Sequence, residues 1–168
     1  MSENNFEKIE ENPIQDAIEK AQSEAIPFDQ LEKIKNEIDD ITANFLQKKI
    51  TLSQYNELCN NLESYPGFIK IGSAQMFEEY LRACSLNEKT IAEFVQHEGE
   101  HFKAIENAGL KAEYRIEFSK KADGEFSMYP QVSFDFPQNM KDGEARNLLK
   151  NIISAASELS DRDRNQLG

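Results

Sequence analysis

The apolar residues of this chain recur at helical spacing as far as Gly109 and alternate in steps of two beyond it, and that change of period constrains the fold most. Ahead of Gly109, Leu31, Ile34, Ile38, Ile41 and Phe45 form one stripe at intervals of three and four residues, so the helix they predict needs a partner. The segment 51–64 supplies one, with Thr51 as a cap and Leu52, Tyr55, Leu58, Cys59 and Leu62 repeating the pattern. A short turn at Lys49-Ile50 makes the two a helical hairpin. Pro13 opens an earlier helix to about residue 25, Pro27 interrupts it, and Asp29 is the expected N-cap of the next.

Tyr65-Pro66-Gly67 is a breaker, and Phe68-Ile69-Lys70-Ile71 is a short strand candidate. Ser73 then caps a helix carrying Met76, Phe77, Tyr80, Leu81 and Cys84. Asn87 caps another that runs to about residue 108, where Gly109 is a typical stop. Past that point Tyr114, Ile116 and Phe118 alternate with Glu113, Arg115 and Glu117, as in a strand with one buried face. Asp123-Gly124 marks the turn, and Phe126, Met128, Val132, Phe134 and Phe136 keep one parity on the return. Pro130 makes the returning strand an edge or splits it. Asp142 opens a last helix whose apolar face holds Leu148, Leu149, Ile152, Ile153, Ala156 and Leu159, leaving 161–168 as a polar tail.

The expectation is an α+β fold, predominantly helical, in which an N-terminal helical hairpin is followed by helices packed with a small antiparallel β-hairpin or sheet. Three regions follow: a flexible acidic tail over 1–12, a helical region over 13–64, and an α+β domain over 65–168.

A net charge of −12, from 31 acidic against 19 basic residues, argues against binding nucleic acid, because phosphate affinity comes from Lys and Arg displacing counterions. A basic protein partner is the type that this charge attracts. The opening residues from Met1 to Glu7 lack a basic stretch and an apolar run, and no segment approaches the roughly 20 apolar residues of a spanning helix. No membrane association and a cytoplasmic location are therefore expected. Cys59 and Cys84 lack the short spacings of zinc ribbons and redox motifs and are expected as reduced core thiols.

The chemistry concentrates in His97-Glu98-Gly99-Glu100-His101, which contains both histidines of the chain. Residues four apart on a helix lie one turn above each other, so His97 and His101 can share one metal ion. Glu98 projects beside them and can take a proton from a water that the ion has made acidic. It also occupies the slot between Val95 and Phe102 on the stripe Ile91, Val95, Phe102, Ile105, and a carboxylate aimed at a core needs compensation.

On this helix the chain resembles the zincin metallopeptidases, whose motif is H-E-x-x-H. The resemblance covers this helix alone, and Gly99, Glu100 and Lys103 differ from the family's usual extended signature. It implies zinc as the cofactor, His97 and His101 as ligands, Glu98 as the catalytic base and a peptide or protein as substrate. In the gluzincin branch the third ligand is a Glu on a later helix, which points to Glu144 or Glu158. A third His, as another branch needs, does not exist here.

Other readings use the same residues. Glu98-x-x-His101 is half of a di-iron carboxylate site, but the second Glu-x-x-His has no His available. His97, Glu100 and Lys103 also suit a solvated helix face with Glu98 at the core's edge. Gly99, costly in mid-helix, then serves close packing, where the functional reading gives substrate access to the backbone. From a different class, the chain reads as a non-enzymatic acidic adaptor or inhibitor acting through its helical hairpin or hairpin edge.

Overall fold

The computed structural model describes residues 12–168, so the acidic tail expected over 1–12 lies, apart from Asn12, outside the described residues. Seven helices and a four-stranded mixed sheet are found among them: α1 (Pro13–Ser23), β1 (Ile26–Pro27), α2 (Phe28–Leu46), α3 (Leu52–Leu62), β2 (Phe68–Ile71), α4 (Ala74–Ala83), α5 (Glu88–Asn107), β3 (Glu113–Lys120), β4 (Phe126–Ser133), α6 (Asp142–Ile153) and α7 (Asp161–Leu167). The fold is α+β and predominantly helical, as the change of period predicts.

Local chemistry sets most of the boundaries. The side chains of Asn12, Thr51, Ser73 and Asn87 each accept the backbone N–H three residues on, which satisfies a donor that the first helical turn leaves open. Thr51 and Gln54 close a reciprocal capping box. Gly109 and Gly124 hold φ of +79° and +88°, the left-handed conformation that ends α5 and turns the hairpin. Asp29 is not the N-cap of α2; the helix begins at Phe28, directly after Pro27, whose ring presets the entry.

β3 is the centre of the sheet. It pairs antiparallel with β2 over Tyr114 to Glu117, parallel with the two residues of β1 at Ser119 and Lys120, and antiparallel with β4 along its whole length. One edge of β3 is thus shared by β1 and β2, and β4 takes the other. Phe118 N–H donates to Gly67 O on the β2 side, so the odd-numbered residues of β3 turn their backbones toward β4. Met128, Pro130 and Val132, opposite the even-numbered residues, turn theirs to the outer edge. Pro130 therefore forfeits no ladder bond, and β4 continues through it as an edge strand.

On one face of the sheet, Ile69, Ile71, Tyr114, Ile116 and Phe118 pack with Ile18 and Ala21 of α1, Phe77 and Leu81 of α4, and Ile91 of α5. Tyr114 is sandwiched between Phe77 and Phe102, with centroids 4.3 Å away on each side and planes within 11°. The other face departs from expectation. Arg115 and Glu117, expected in solvent by their alternation with the apolar residues, are buried, and so is Ser119. The cause is α2, which crosses this face and brings Lys35 against Glu117.

A second core joins Phe45 and Leu52 to Ala145, Leu149 and Ile153, and Arg146 fastens α6 to the α2–α3 turn through Phe45 O (2.7 Å) and Ile50 O (2.9 Å). The elements of 13–64 thus share cores with those of 65–168. Cys59 and Cys84 are free thiols, and burial pushes them up to about 12 and 11. No helix among the described residues is long and apolar enough to cross a membrane.

Candidate metal centre

Helix α5 carries His97, Glu98 and His101 on the side that faces inward, in a buried line of Ile91, Glu98, His101 and Ile105. The imidazoles meet edge to face, with ring centroids 4.8 Å apart. His101 Nδ1 lies 2.8 Å from Ile152 O of α6. A carbonyl oxygen only accepts, so Nδ1 carries the hydrogen, and Nε2 is left to face the centre.

The third group comes from α7. The α6 helix ends at Ile153, the chain turns over 154–160, and α7 packs against α2 with Asp163 reaching the histidines of α5. Ser160 Oγ accepts from Asp163 N–H (3.0 Å), while Asp163 Oδ2 accepts from Ser160 N–H (3.0 Å). This capping box fixes the Asp163 carboxylate, and the same Oδ2 reaches His97 Nε2 at 3.3 Å and His101 Nε2 at 3.4 Å. Two nitrogens and one oxygen converge with all three atoms within 4.8 Å of one another. A tetrahedral ion about 2.0 to 2.2 Å from each ligand separates those ligands by roughly 3.3 to 3.6 Å. The two His–Asp distances meet that edge length, and the three groups together could hold a metal ion.

Electrostatics at the centre follow from this packing. Hydrogen bonding to Asp163 raises His97 against the effect of burial. Burial pulls His101 down, but Asp163 and the Ile152 carbonyl outweigh it and the net direction is up. Burial works against the charge of Asp163 as well, yet His101, His97 and the Ser160 N–H hold its carboxyl far below the usual range. Glu98 differs: burial pushes it up to about 7, with the two histidines opposing. Its nearest ionic neighbour is His97 Nε2, 3.6 Å from Oε2.

The centre opens on a cavity of about 780 Å³. His97, Glu98, His101 and Asp163 form one wall, and Tyr129 and Gln131 of β4 stand with Lys35 on another. Met128, Pro130 and Val132, whose backbones face the outer edge of β4, also line it.

No family model, curated protein or solved structure matches this chain.

His97, Glu98 and His101 are therefore brought together in space, while the carboxylates implied as third ligand are elsewhere. Glu144 is exposed in the first turn of α6 and does not line the cavity. Glu158, also exposed, sits in the 154–160 turn, where it lines the cavity but does not join the ligand group. Asp163 stands with the two histidines instead. Its signal was the pattern Ser160-x-x-Asp163, which predicts a helix start in a stretch that otherwise reads as a polar tail.

Of the two flanking residues, Glu100 has a structural explanation and Gly99 does not. Glu100 accepts from Ser157 N–H (3.2 Å) and Ser157 Oγ (3.0 Å), tying the 154–160 turn to α5. A methyl group at Gly99 would meet only Tyr114 Oη at 3.9 Å, ordinary contact, so the close packing expected there is not tight.

Proposed function

We propose that this chain is a metal-dependent hydrolase, with zinc as the ion and peptides as the substrate class. Supporting the reading above all is the meeting of Asp163 Oδ2 with both Nε2 atoms from a separate helix, one residue-width from a buried acid. The ion supplies Lewis acidity toward water and a substrate carbonyl. His97, His101 and Asp163 would hold it. Glu98, whose carboxyl is poised near neutrality, accepts a proton from the attacking water and returns it to the leaving amine. Tyr129, Gln131 and the apolar residues Met128 and Val132 form the wall against which a substrate rests.

Two histidines and one carboxylate also suit non-haem iron. Glu98, placed between the histidines on the same turn, favours hydrolysis, because oxygen chemistry has no need of a base there. The adaptor reading calls for an exposed apolar patch; the exposed large apolar residues among those described are Leu58, Met76 and Phe126, on three different elements.

The test has two parts. Elemental analysis of protein produced with ample zinc is expected to find near-stoichiometric zinc in the wild type and its loss in His101→Ala. Glu98→Gln is expected to keep the metal and lose turnover on a mixed peptide library. A wild type without metal sinks the proposal, and iron in place of zinc redirects it.

A further inference from the structure

The helix that delivers Asp163 has little apolar surface to hold it. α7 spans seven residues, and its buried residue is Asp163 itself. A helix of that length is unstable alone and stays helical only through contacts made elsewhere. Leu167 packs partly buried against the second core, and the remaining grips are polar and lie on two sides. Toward α5, Asp163 meets the histidines. Toward α2, Arg162 donates from Nε to Asp39 Oδ1 at 2.9 Å, with Nη2 at 2.8 Å from the same oxygen, and Gln166 Nε2 adds a bond of 3.0 Å. Arg162 Nη1 also donates to Tyr129 Oη of β4 at 2.8 Å.

Asp39 is 2% exposed and its Oδ2 has no hydrogen-bond partner, so three donors crowd one oxygen while the other is buried unsatisfied. Stability alone does not favour such an acid, because an unsatisfied buried carboxylate oxygen is costly. Its neighbours connect it instead to α7.

We propose that Asp39 and Arg162 are positioning residues for the metal centre: they dock α7 so that Asp163 reaches the histidines, and docking of α7 and uptake of the ion form one coupled equilibrium. This rests on the metal reading given above. Coupling is reciprocal by thermodynamic necessity. An ion bridging α5 and α7 strengthens the grip on α5 and slows opening of the helix; loosening the grip on α2 leaves the ion with two ligands for part of the time and weakens its binding.

The experiment compares wild type, Asp39→Asn and Arg162→Lys, using zinc itself as the probe. Zinc affinity is measured by competition with a chromophoric chelator. Hydrogen exchange over 161–167 is followed with and without zinc, and melting is followed in excess chelator. Asp39→Asn keeps the volume and an acceptor oxygen and loses the charge. It is expected to lower zinc affinity tenfold or more, in the range of outer-shell changes, and to speed exchange in α7, with saturating zinc restoring protection. Arg162→Lys retains charge but loses the fork and the bond to Tyr129, so it is expected between the two; it also carries the comparison if Asp39→Asn does not fold.

A merely structural pair gives a different result, a lower melting temperature in chelator with unchanged zinc affinity of the folded protein, and that overturns the proposal. Zinc that binds the wild type yet leaves α7 exchange unchanged overturns it too. A wild type that takes up no zinc overturns the functional reading and this coupling with it. Equal affinity in wild type and Asp39→Asn overturns the coupling alone.

Discussion

Two groups of buried charge adjoin the same cavity, and they are built in opposite ways. Around Glu117, the carboxylate takes Lys35, Arg115 Nε (2.7 Å), Gln131 Nε2 (3.2 Å) and the Tyr65 hydroxyl, and the cations rest over aromatic rings, with Arg115 Cζ 3.6 Å from the centroid of Phe68 and Lys35 Nζ 4.8 Å from that of Tyr129. Anion and cations pair directly with one another there, with Arg115 Nη2 and Glu117 Oε1 left without a hydrogen bond. Around Asp163, two imidazole nitrogens point at one oxygen, and Glu98 stands beside them with a single ionic neighbour at 3.6 Å. Buried charge that is paired internally holds a fold together, whereas two imidazoles and a carboxylate converging on one point could also hold a metal ion.

That contrast is sharpest where one partner is removed. Glu117→Gln strands Lys35 and Arg115 in the interior, and the expected loss is about 3 to 5 kcal/mol in urea unfolding. Zinc affinity of the protein that remains folded is expected to be unchanged, so a large fall in affinity with little loss of stability would erase the distinction between the two groups. Glu98→Gln tests the opposite case: stability in chelator close to wild type, metal retained, and peptide turnover lower by roughly 10²- to 10⁴-fold, the usual contribution of a general base. Retained turnover in this variant would remove Glu98 from the chemistry.

Acid unfolding sharpens the comparison further. Burial raises the carboxyl of Glu117, but Lys35 and Arg115 outweigh it and the net direction is down. A carboxyl held below its unfolded value, roughly 4.3, stabilises the fold at pH above that value, and the contribution fades as pH falls toward the folded value. Stability measured by urea unfolding is therefore expected to decline below about pH 4 in the wild type and to do so with a shallower slope in Glu117→Gln. Equal slopes would show that Glu117 is not held in its charged form. Smallest in size is Gly99→Ala, whose methyl meets only Tyr114 Oη at 3.9 Å. It is expected to stabilise the protein by up to about 1 kcal/mol through helix propensity, with zinc binding intact; destabilisation would reveal a need for glycine at the centre that the packing does not show.

Elements whose signals are local could be read from the sequence. The caps at Thr51, Ser73 and Asn87, the stop at Gly109, the hairpin turn at Gly124 and the stripe of α2 each depend on residues within a few positions of one another. What escaped depends on distant partners. Arg115 and Glu117 alternate with apolar neighbours as a solvent face would, and nothing nearby announces that α2 brings Lys35 over them. The parallel strand Ile26–Pro27 is two residues long and looks like the end of a helix. Within the site, the H-E-x-x-H spacing placed three side chains together, because one helix carries all three. The acid from another element lies beyond its reach: the zincin resemblance implies Glu144 or Glu158, whereas Asp163 is delivered by a turn and a short helix whose signal is a capping pair.

The central claim is that His97, His101 and Asp163 act together on one ion. Equilibrium dialysis against zinc of the wild type and of Asp163→Asn, both confirmed as folded, addresses it directly. Near-stoichiometric zinc in the wild type with a large deficit in the variant is the predicted outcome; the same zinc content in both, or none in either, contradicts it.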